Sequence, residues 1–189
     1  MQYLNIPQLE SEISYQGQTY EKIIFLDVDG VLHDYGEKYQ TGQQVIDPIR
    51  VERVKKIVDA TGAEIIMSSS WRYAYQDFCF HQYQSENKSL QVLQKYLDYY
   101  DLHIRGITPY IGFGADSRPL EIRAWLLDKT DTKSFVILDD DDFNWQWLNS
   151  FLVRTRKTIS AEGEENPHYL YGLEEYHVEK AIAILNQFD

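Results

Sequence analysis

The amino-acid sequence predicts a three-layer α/β fold, in which a mainly parallel sheet is covered by helices on both faces. Three short and predominantly apolar segments, 23–26, 63–67 and 134–138, have the pattern of strands that are buried on both faces. A helix pattern separates the first two segments, and a strand–helix–strand unit forms a parallel pair. The 189 residues are enough for one such domain with a complete hydrophobic core.

The first half of the chain contains the first two strands and the helix between them. Residues 1–21 are mixed in character and are interpreted as an N-terminal extension that could form a hairpin. Residues 30–46 are rich in glycine, tyrosine and glutamine and predict a flap loop. A helix is expected to begin at Asp47, an N-cap acid followed by proline, and to end at Gly62, a left-handed cap.

The second half of the chain contains a segment, 73–115, that we interpret as an insertion or small cover. Within it, 73–87 show no clear period, 88–99 predict a helix from their leucine spacing, and 102–109 are ambiguous. The remaining elements are predicted in the following order: a helix from Pro119 to Leu127, a strand over 134–138, a short helix over 143–148, a fourth parallel strand over 151–153, a polar loop over 154–170 and a helix over 174–187.

Composition and charge restrict the classes of function. The formal net charge of −12 disfavours non-specific binding to nucleic acid or to anionic membranes, since both require basic surfaces. The single cysteine, Cys79, excludes an internal disulfide and a cysteine zinc cluster. No segment has the length of a membrane-spanning helix, and the first residues lack the features of a signal peptide. These observations predict a cytoplasmic protein without a membrane partner.

Two carboxylates directly follow the first predicted strand. Asp27 and Asp29 are separated by one residue, and the Gly30-Val31 pair comes immediately after them. Two acids this close repel each other unless a cation or a shared proton offsets their charge. A buried strand that runs directly into such a pair is more typical of a binding or catalytic site than of a solvated turn.

Polar side chains also follow two other predicted strands. In an open parallel sheet, ligands bind beyond the carboxyl ends of the strands, so these groups are expected to converge. Carboxylates and hydroxyls form a site of hard oxygen ligands, which suits Mg²⁺. The groups at the three strand ends are Asp27 and Asp29, then Ser68, Ser69 and Ser70 with Arg72, and then Asp139 and Asp140.

These motifs resemble those of the haloacid dehalogenase (HAD) superfamily. Asp27-Val28-Asp29-Gly30-Val31 is similar to its first motif, Ser68 to its second, and Asp139-Asp140 to its fourth. The small insertions resemble the small-cap or capless type, with a Rossmann-like core. More narrowly, the chain is similar to the HAD phosphatase modules associated with RNA-repair proteins, through the segments 66–72, 108–109, 118–126, 136–140 and 171–173.

The resemblance implies a role for each motif. Asp27 would be the nucleophile that forms an aspartyl-phosphate, and Asp29 the general acid and base. Mg²⁺ would be held by Asp27, by the backbone carbonyl of Asp29, and by Asp139 or Asp140, with the choice between the last two left open. Ser68 would bind the phosphoryl group. Further phosphate contacts would come from Gly30, Ser69, Ser70 and Arg72.

Three residues could supply the cation of the third motif. Arg118 precedes a helix at the matching position and is preferred, but Arg123 and Lys129 remain candidates. Arg72 could clamp phosphate, or it could form an ion pair with an acid. His33 could touch the leaving group, although an ordinary flap histidine is favoured.

The expected activity is hydrolysis of a phosphomonoester on a small phosphorylated metabolite or a nucleotide, with Mg²⁺ as cofactor. A phosphatase that acts on nucleic-acid 3′ or 5′ ends is the alternative, and the net charge counts against it. A receiver-like phospho-acceptor and a degenerate binding protein of HAD fold are the non-enzymatic alternatives. Phosphotransfer to another acceptor stays open, and the sequence does not indicate an oligomeric state.

Overall fold

Five parallel strands form one sheet in the computed structural model, which describes residues 20–33, 46–82, 86–129, 131–156 and 172–187. The strands are β1 (Lys22–Leu26), β2 (Glu64–Met67), β3 (Ile104–Ile107), β4 (Ser134–Asp139) and β5 (Leu152–Arg154). Their order across the sheet is β3-β2-β1-β4-β5, and each neighbouring pair is parallel. The predicted parallel sheet is therefore confirmed.

The described helices follow the strands on both sides of this sheet. The first helix begins after Asp47 and ends before Gly62, as predicted. The Asp47 side chain accepts a hydrogen bond from the amide of Ile49 at 2.8 Å, and Gly62 has the left-handed φ of 70°. The helices are α1 (Pro48–Thr61), α2 (Arg72–Phe80), α3 (Lys88–Tyr99), α4 (Ser117–Leu127) and α5 (Glu175–Leu185), with a 3₁₀ helix over Gln146–Phe151.

The central strand β1 is buried on both faces, which explains its continuous apolar sequence. Ile24 and Leu26 lie on one face, in a core shared with α1, α2, α3 and α5. Ile23 and Phe25 lie on the other face, where the Phe25 ring packs against Trp125 of α4 at 5.4 Å between centroids. Successive side chains of β1 therefore enter the two cores in turn, as expected for a sheet that has helices on both faces.

The segment 73–115 contains more regular structure than its pattern indicated. Helix α2 was not predicted, because its buried positions are Arg72, Tyr75 and Phe78, and a buried arginine interrupts the apolar pattern. Strand β3 is an edge strand with partly exposed residues and an irregular register against β2, so its apolar signal is weak. The segment interpreted as an insertion or cover therefore also supplies one strand of the central sheet.

Other boundaries differ by a few residues. Helix α4 begins two residues before Pro119, and the 3₁₀ helix lies three residues later than the predicted short helix. Strand β5 begins at Leu152, one residue later than predicted, and is the fifth strand rather than the fourth. The proposed N-terminal hairpin, most of the flap and most of the 154–170 loop lie outside the described residues. Among the described helices, none has the length and apolar character needed to cross a membrane.

Candidate active site

The two central strands carry acids to the same edge of the sheet. Asp27 directly follows β1, and Asp139 is the last residue of the neighbouring strand β4. The amide of Asp27 donates a hydrogen bond to the carbonyl of Leu138 at 3.0 Å, which holds the two strand ends side by side. The chain proceeds from β1 to β2 on one side and places β4 on the other. This point between β1 and β4 is the topological switch point at which such sheets bind ligands.

Three buried carboxylates meet at this point. Asp27, Asp139 and Asp140 each provide one oxygen, and these oxygens lie within 4.8 Å of one another. Burial, together with the charge of Asp27, raises the pKa of Asp140 to about 8. Burial also raises the pKa of Asp139 to about 8, although Arg118 opposes this change. The shifts mean that these carboxylates are costly to ionise together without additional positive charge.

Arg118 provides positive charge from the beginning of α4. Its Nη1 donates a hydrogen bond to Oδ2 of Asp139 at 2.7 Å and lies 3.4 Å from Oδ1 of Asp27. Burial alone would lower the pKa of Arg118, but the carboxylates of Asp27, Asp139 and Glu121 outweigh it and raise the pKa above its ordinary value. The guanidinium group therefore stays charged inside the cluster.

The other two candidates for the third-motif cation lie elsewhere. Arg123 is exposed and lines a surface groove with Asn144 and Trp147. Nζ of Lys129 lies over the rings of Tyr20 and Trp125, at 5.8 and 6.0 Å from their centroids. The geometry thus favours Arg118, although its role in catalysis stays a prediction.

Gly30 allows the acid-bearing loops to approach each other closely. Its φ is +67°, and a Cβ atom at this position would lie 2.2 Å from Cγ of Asp140. Its carbonyl accepts a hydrogen bond from Oγ1 of Thr155 at 2.8 Å. Only glycine combines this backbone conformation with so little space. Its predicted contact with phosphate remains a prediction.

The serines after β2 differ in their surroundings. The amide of Ser68 donates to the carbonyl of Leu26 at 2.9 Å, so this residue lies beside the end of β1. Oγ of Ser68 is buried and has no hydrogen-bond partner within the described part of the chain. Ser69 is also buried, and its Oγ accepts from the amide of Trp71 at 3.3 Å, whereas Ser70 is exposed. The Ser68 hydroxyl is therefore the one best suited to contact a ligand.

Arg72 is engaged by the protein itself. Its Nη2 donates to Oε1 of Glu121 at 2.7 Å, and its Nη1 donates to the carbonyl of Ser69 at 2.9 Å. Both partners of the ion pair are nearly fully buried. This geometry corresponds to the ion pair that the sequence left open as the alternative to a phosphate clamp. Glu121 also lies 4.0 Å from Nε of Arg118, so one buried acid is close to both arginines.

The Asp29 carboxyl group lies outside the cluster of three acids. Nε2 of His33 hydrogen-bonds its Oδ1 at 2.6 Å, and Nε1 of Trp71 donates to its Oδ2 at 3.0 Å. The sequence favoured an ordinary flap histidine at position 33. The contact with Trp71 has no local signal, because Trp71 follows β2 whereas Asp29 follows β1. The suggested metal contact of Asp29 through its backbone carbonyl stays a prediction.

The donor set suits a divalent cation. Asp27, Asp139 and Asp140 offer the hard oxygens that Mg²⁺ prefers, and all three are buried. Oδ1 of Asp140 is buried and, among the described residues, has no hydrogen-bond partner. A cation at this position would remove the cost of ionising the acids together. The residues therefore fit a Mg²⁺ ion.

Most of the chain matches a known protein family. The family model for the HAD domain in Swiss Army Knife RNA repair proteins matches residues 23–162, which is well over half of the chain. The matched range runs from the second residue of β1 through β5, and it includes all of the acids, serines and arginines described above. No curated protein matches the chain significantly.

Proposed function

We propose that this chain, which belongs to the family of HAD domains in Swiss Army Knife RNA repair proteins, is a Mg²⁺-dependent phosphomonoester hydrolase that works through an aspartyl-phosphate. One observation carries the proposal: three buried acids and Arg118 converge at the switch point of the sheet. Such a cluster is unfavourable as a purely structural feature, but it suits the binding of a metal and of a phosphoryl group. The HAD family is generally one of hydrolases, which agrees with this chemistry.

The proposed reaction has two steps. In the first, a carboxylate oxygen of Asp27 forms a bond to phosphorus, the bond from phosphorus to the leaving oxygen breaks, and Asp29 gives that oxygen a proton. In the second, Asp29 takes a proton from water, the water oxygen bonds to phosphorus, and the aspartyl-phosphate bond breaks. Inorganic phosphate and the original Asp27 carboxylate result.

The surrounding groups stabilise the phosphoryl group. Asp27, Asp139 and Asp140 would hold Mg²⁺, which when bound supplies positive charge that offsets repulsion between the nucleophile and the phosphate oxygens. Arg118 would contribute a second positive charge, and the buried Ser68 hydroxyl would donate a hydrogen bond to a phosphoryl oxygen. Arg72 would act indirectly, by fixing the Ser69 backbone and Glu121.

Substitution of the nucleophile tests the proposal. Asp27→Asn should lower hydrolysis of p-nitrophenyl phosphate in Mg²⁺ by at least about a thousandfold, because loss of a nucleophile removes the covalent route. The protein should still unfold cooperatively. Asp59→Asn, which changes an exposed acid paired with Lys55, is the matched control and should keep full activity. Full activity in Asp27→Asn would overturn the proposal. Release of only one p-nitrophenol per molecule of the unsubstituted chain, with the phosphate retained on the protein, would indicate a phospho-acceptor.

A substrate that carries a nucleobase is favoured by exposed aromatic residues close to the site. We define the aromatic rim as Tyr73, Tyr110 and Phe113, which are 42%, 49% and 95% exposed. Their rings form a chain, with centroids 6.3 Å apart for Tyr73 and Tyr110 and 5.3 Å apart for Tyr110 and Phe113. Aromatic faces bind nucleobases by stacking, which does not require positive charge. Nucleotides or nucleic-acid 3′ or 5′ ends are therefore the preferred substrates among phosphomonoesters.

The rim is connected to the phosphate site through Glu121. The guanidinium carbon of Arg72 lies 5.0 Å from the centroid of the Tyr73 ring, while Arg72 is paired with Glu121. The amide of Ile111, in the loop between Tyr110 and Phe113, donates to Oε1 of Glu121 at 3.4 Å. The rim therefore adjoins the buried Arg72–Glu121 pair beside the site, and we propose that a base attached to a phosphate bound at Asp27 stacks on it.

Substrate comparison tests the rim. Replacement of both Tyr110 and Phe113 by alanine should raise KM about tenfold for nucleoside monophosphates or phosphorylated oligonucleotides, since one stacked base contributes about 1–3 kcal/mol. The KM for glycerol phosphate, which has no ring, should not change. Tyr99→Ala, on α3, removes a ring that is 77% exposed and serves as the control. Equal changes for both kinds of substrate would exclude stacking on the rim.

A further inference from the structure

We infer that His33 and Trp71 are positioning residues that hold the Asp29 carboxyl group in the orientation needed for proton transfer. The inference rests on the proposed function, because it assigns a task to the neighbours of the proposed general acid. The two contacts involve different oxygens of the same carboxyl group, Oδ1 for His33 and Oδ2 for Trp71. They therefore act on the orientation of the group as well as on its position.

Two contacts are needed to fix a carboxyl group. The torsion at the end of an aspartate side chain has a broad energy minimum, so the carboxyl plane rotates easily unless both oxygens are held. A hydrogen bond to one oxygen leaves this rotation possible. The indole N–H of Trp71 is only a donor, so its contact with Oδ2 has a fixed direction, and the 2.6 Å contact with His33 holds the opposite oxygen.

The turn that carries Asp29 and His33 is itself held by three distant parts of the chain. The carbonyl of Leu32 accepts from the amide of Asp47 at 2.8 Å, and the carbonyl of Val31 accepts from the amide of Leu173 at 2.9 Å. The hydroxyl of Thr155 bonds the carbonyl of Gly30. His33 is completely buried at the end of this turn. The spacing between Asp29 and His33 is therefore set by the fold and not by the side chains alone.

A proton donor must be accessible to the substrate, while the residues that position it can be buried. The Asp29 side chain is 18% exposed, whereas His33 is buried and Trp71 is 9% exposed. The ring centroids of His33 and Trp71 are 6.3 Å apart, so the two side chains that contact the carboxyl group also lie close to each other.

In the first step of the reaction, this arrangement matters only when the leaving group needs a proton. An alkyl phosphate releases a strongly basic alkoxide unless Asp29 protonates the oxygen as the bond from phosphorus breaks. A p-nitrophenolate is a weak base and leaves without that proton. A carboxyl group that is displaced by about 1 Å can lose on the order of a hundredfold in rate. Misorientation of Asp29 should therefore slow the two substrates to different extents.

The test compares leaving groups in Trp71→Phe, which keeps the ring and removes the N–H. The kcat/KM for an alkyl phosphate should fall about tenfold or more, while that for p-nitrophenyl phosphate should fall less than about twofold, because general acid catalysis contributes only to the first. The kcat for p-nitrophenyl phosphate should fall, with a burst of p-nitrophenol, since Asp29 must also activate water in the second step. Trp147→Phe, at a tryptophan that is 52% exposed, is the control.

Substitutions of His33 give an independent readout. His33→Leu should show the same difference between substrates. His33→Gln, whose side-chain amide can donate or accept a hydrogen bond in place of Nε2, should restore part of the alkyl phosphate activity. Equal losses of kcat/KM for both substrates, with no recovery in His33→Gln, would mean that these residues only support the structure. That result would overturn the inference. The proposed function would fail separately, if Asp27→Asn retained activity in the otherwise native chain.

Discussion

At the scale of single residues, the site depends on a contact that one additional methyl group would prevent. A Cβ on Gly30 would overlap the carboxyl group of Asp140, with its three carboxyl atoms between 2.2 and 2.6 Å away. Asp140 cannot withdraw freely, because it adjoins Asp139, whose backbone belongs to β4 and whose carboxylate bonds Arg118. Addition of a side chain at position 30 must therefore displace an acid of the site, the backbone, or both.

Gly30→Ala should destabilise the protein and weaken its binding of Mg²⁺. The left-handed backbone conformation alone costs an alanine about 1–2 kcal/mol. Gly62→Ala is the matched control, since Gly62 has a φ of +70° and nothing lies within 4 Å of the position that its Cβ would take. We expect Gly30→Ala to cost about 1–3 kcal/mol more than Gly62→Ala, because overpacking adds to the backbone strain.

The measurements are chemical denaturation of both variants and titration of each with Mg²⁺. Gly62→Ala should keep the Mg²⁺ affinity of the parent chain, whereas Gly30→Ala should lose affinity because Asp140 has moved. Equal destabilisation of the two variants, with equal Mg²⁺ affinity, would show that Asp140 adjusts without cost.

The site residues that could be predicted from the sequence are those at the carboxyl ends of the strands. Asp27, Ser68 and Asp139 each come directly after, or at the end of, an apolar strand, and parallel strands bring these ends together. The contacts of Asp29 could not be found in this way. His33 belongs to a turn and Trp71 to the segment before α2, and their meeting depends on side-chain directions that no sequence period encodes.

At the scale of elements, Glu121 joins two helices beside the site. It lies on α4 and accepts a hydrogen bond from Arg72 at the start of α2, and it also lies close to Arg118 on its own helix. The same contact explains why α2 was missed in the sequence. A buried arginine is tolerated on the inner face of a helix when a buried acid elsewhere compensates its charge, and a sequence pattern does not show that partner.

Glu121→Gln should be strongly destabilising. The substitution leaves Arg72 and Arg118 buried near an uncharged group, and loss of one partner of a buried ion pair costs about 3–5 kcal/mol. Glu175→Gln is the matched control, since its pair with Lys56 at 3.0 Å is exposed and exposed pairs contribute at most about 1 kcal/mol. Urea denaturation of both variants measures the difference. Similar small losses in the two variants would mean that the Arg72–Glu121 pair does not connect α2 to α4.

At the scale of the whole molecule, the sheet was predictable because its three central strands, β1, β2 and β4, are mostly apolar and buried. Strands β1, β2 and β4 were placed within one or two residues, whereas the edge strands β3 and β5 were ambiguous or shifted. Edge strands are short and partly exposed, so their sequences need not be apolar. The site lies between β1 and β4, which explains why the uncertainty at the edges did not obscure it.

Because Asp139 and Asp140 are buried at this central position, the free energy of unfolding should depend on pH and on bound metal. In the metal-free protein the pKa of Asp139 and of Asp140 is raised to about 8, from an ordinary value of 3.8. Between these values the folded state binds more protons than the unfolded state, so the free energy of unfolding falls as the pH rises. The contribution of these groups is fully present below about pH 4 and is lost as the pH passes through about 8.

Mg²⁺ should reverse this loss, because the ion binds the ionised acids that protons would otherwise occupy. We expect the increase in Tm caused by Mg²⁺ to be small near about pH 5 and to grow towards about pH 8, where fewer protons compete for the carboxylates. Thermal unfolding in EDTA and in Mg²⁺ across this range measures the effect. Asp140→Asn should reduce both the pH dependence in EDTA and the effect of Mg²⁺, which separates the site from the general repulsion in a chain of net charge −12. A Mg²⁺ effect that is independent of pH, and unchanged in Asp140→Asn, would place the metal away from these acids.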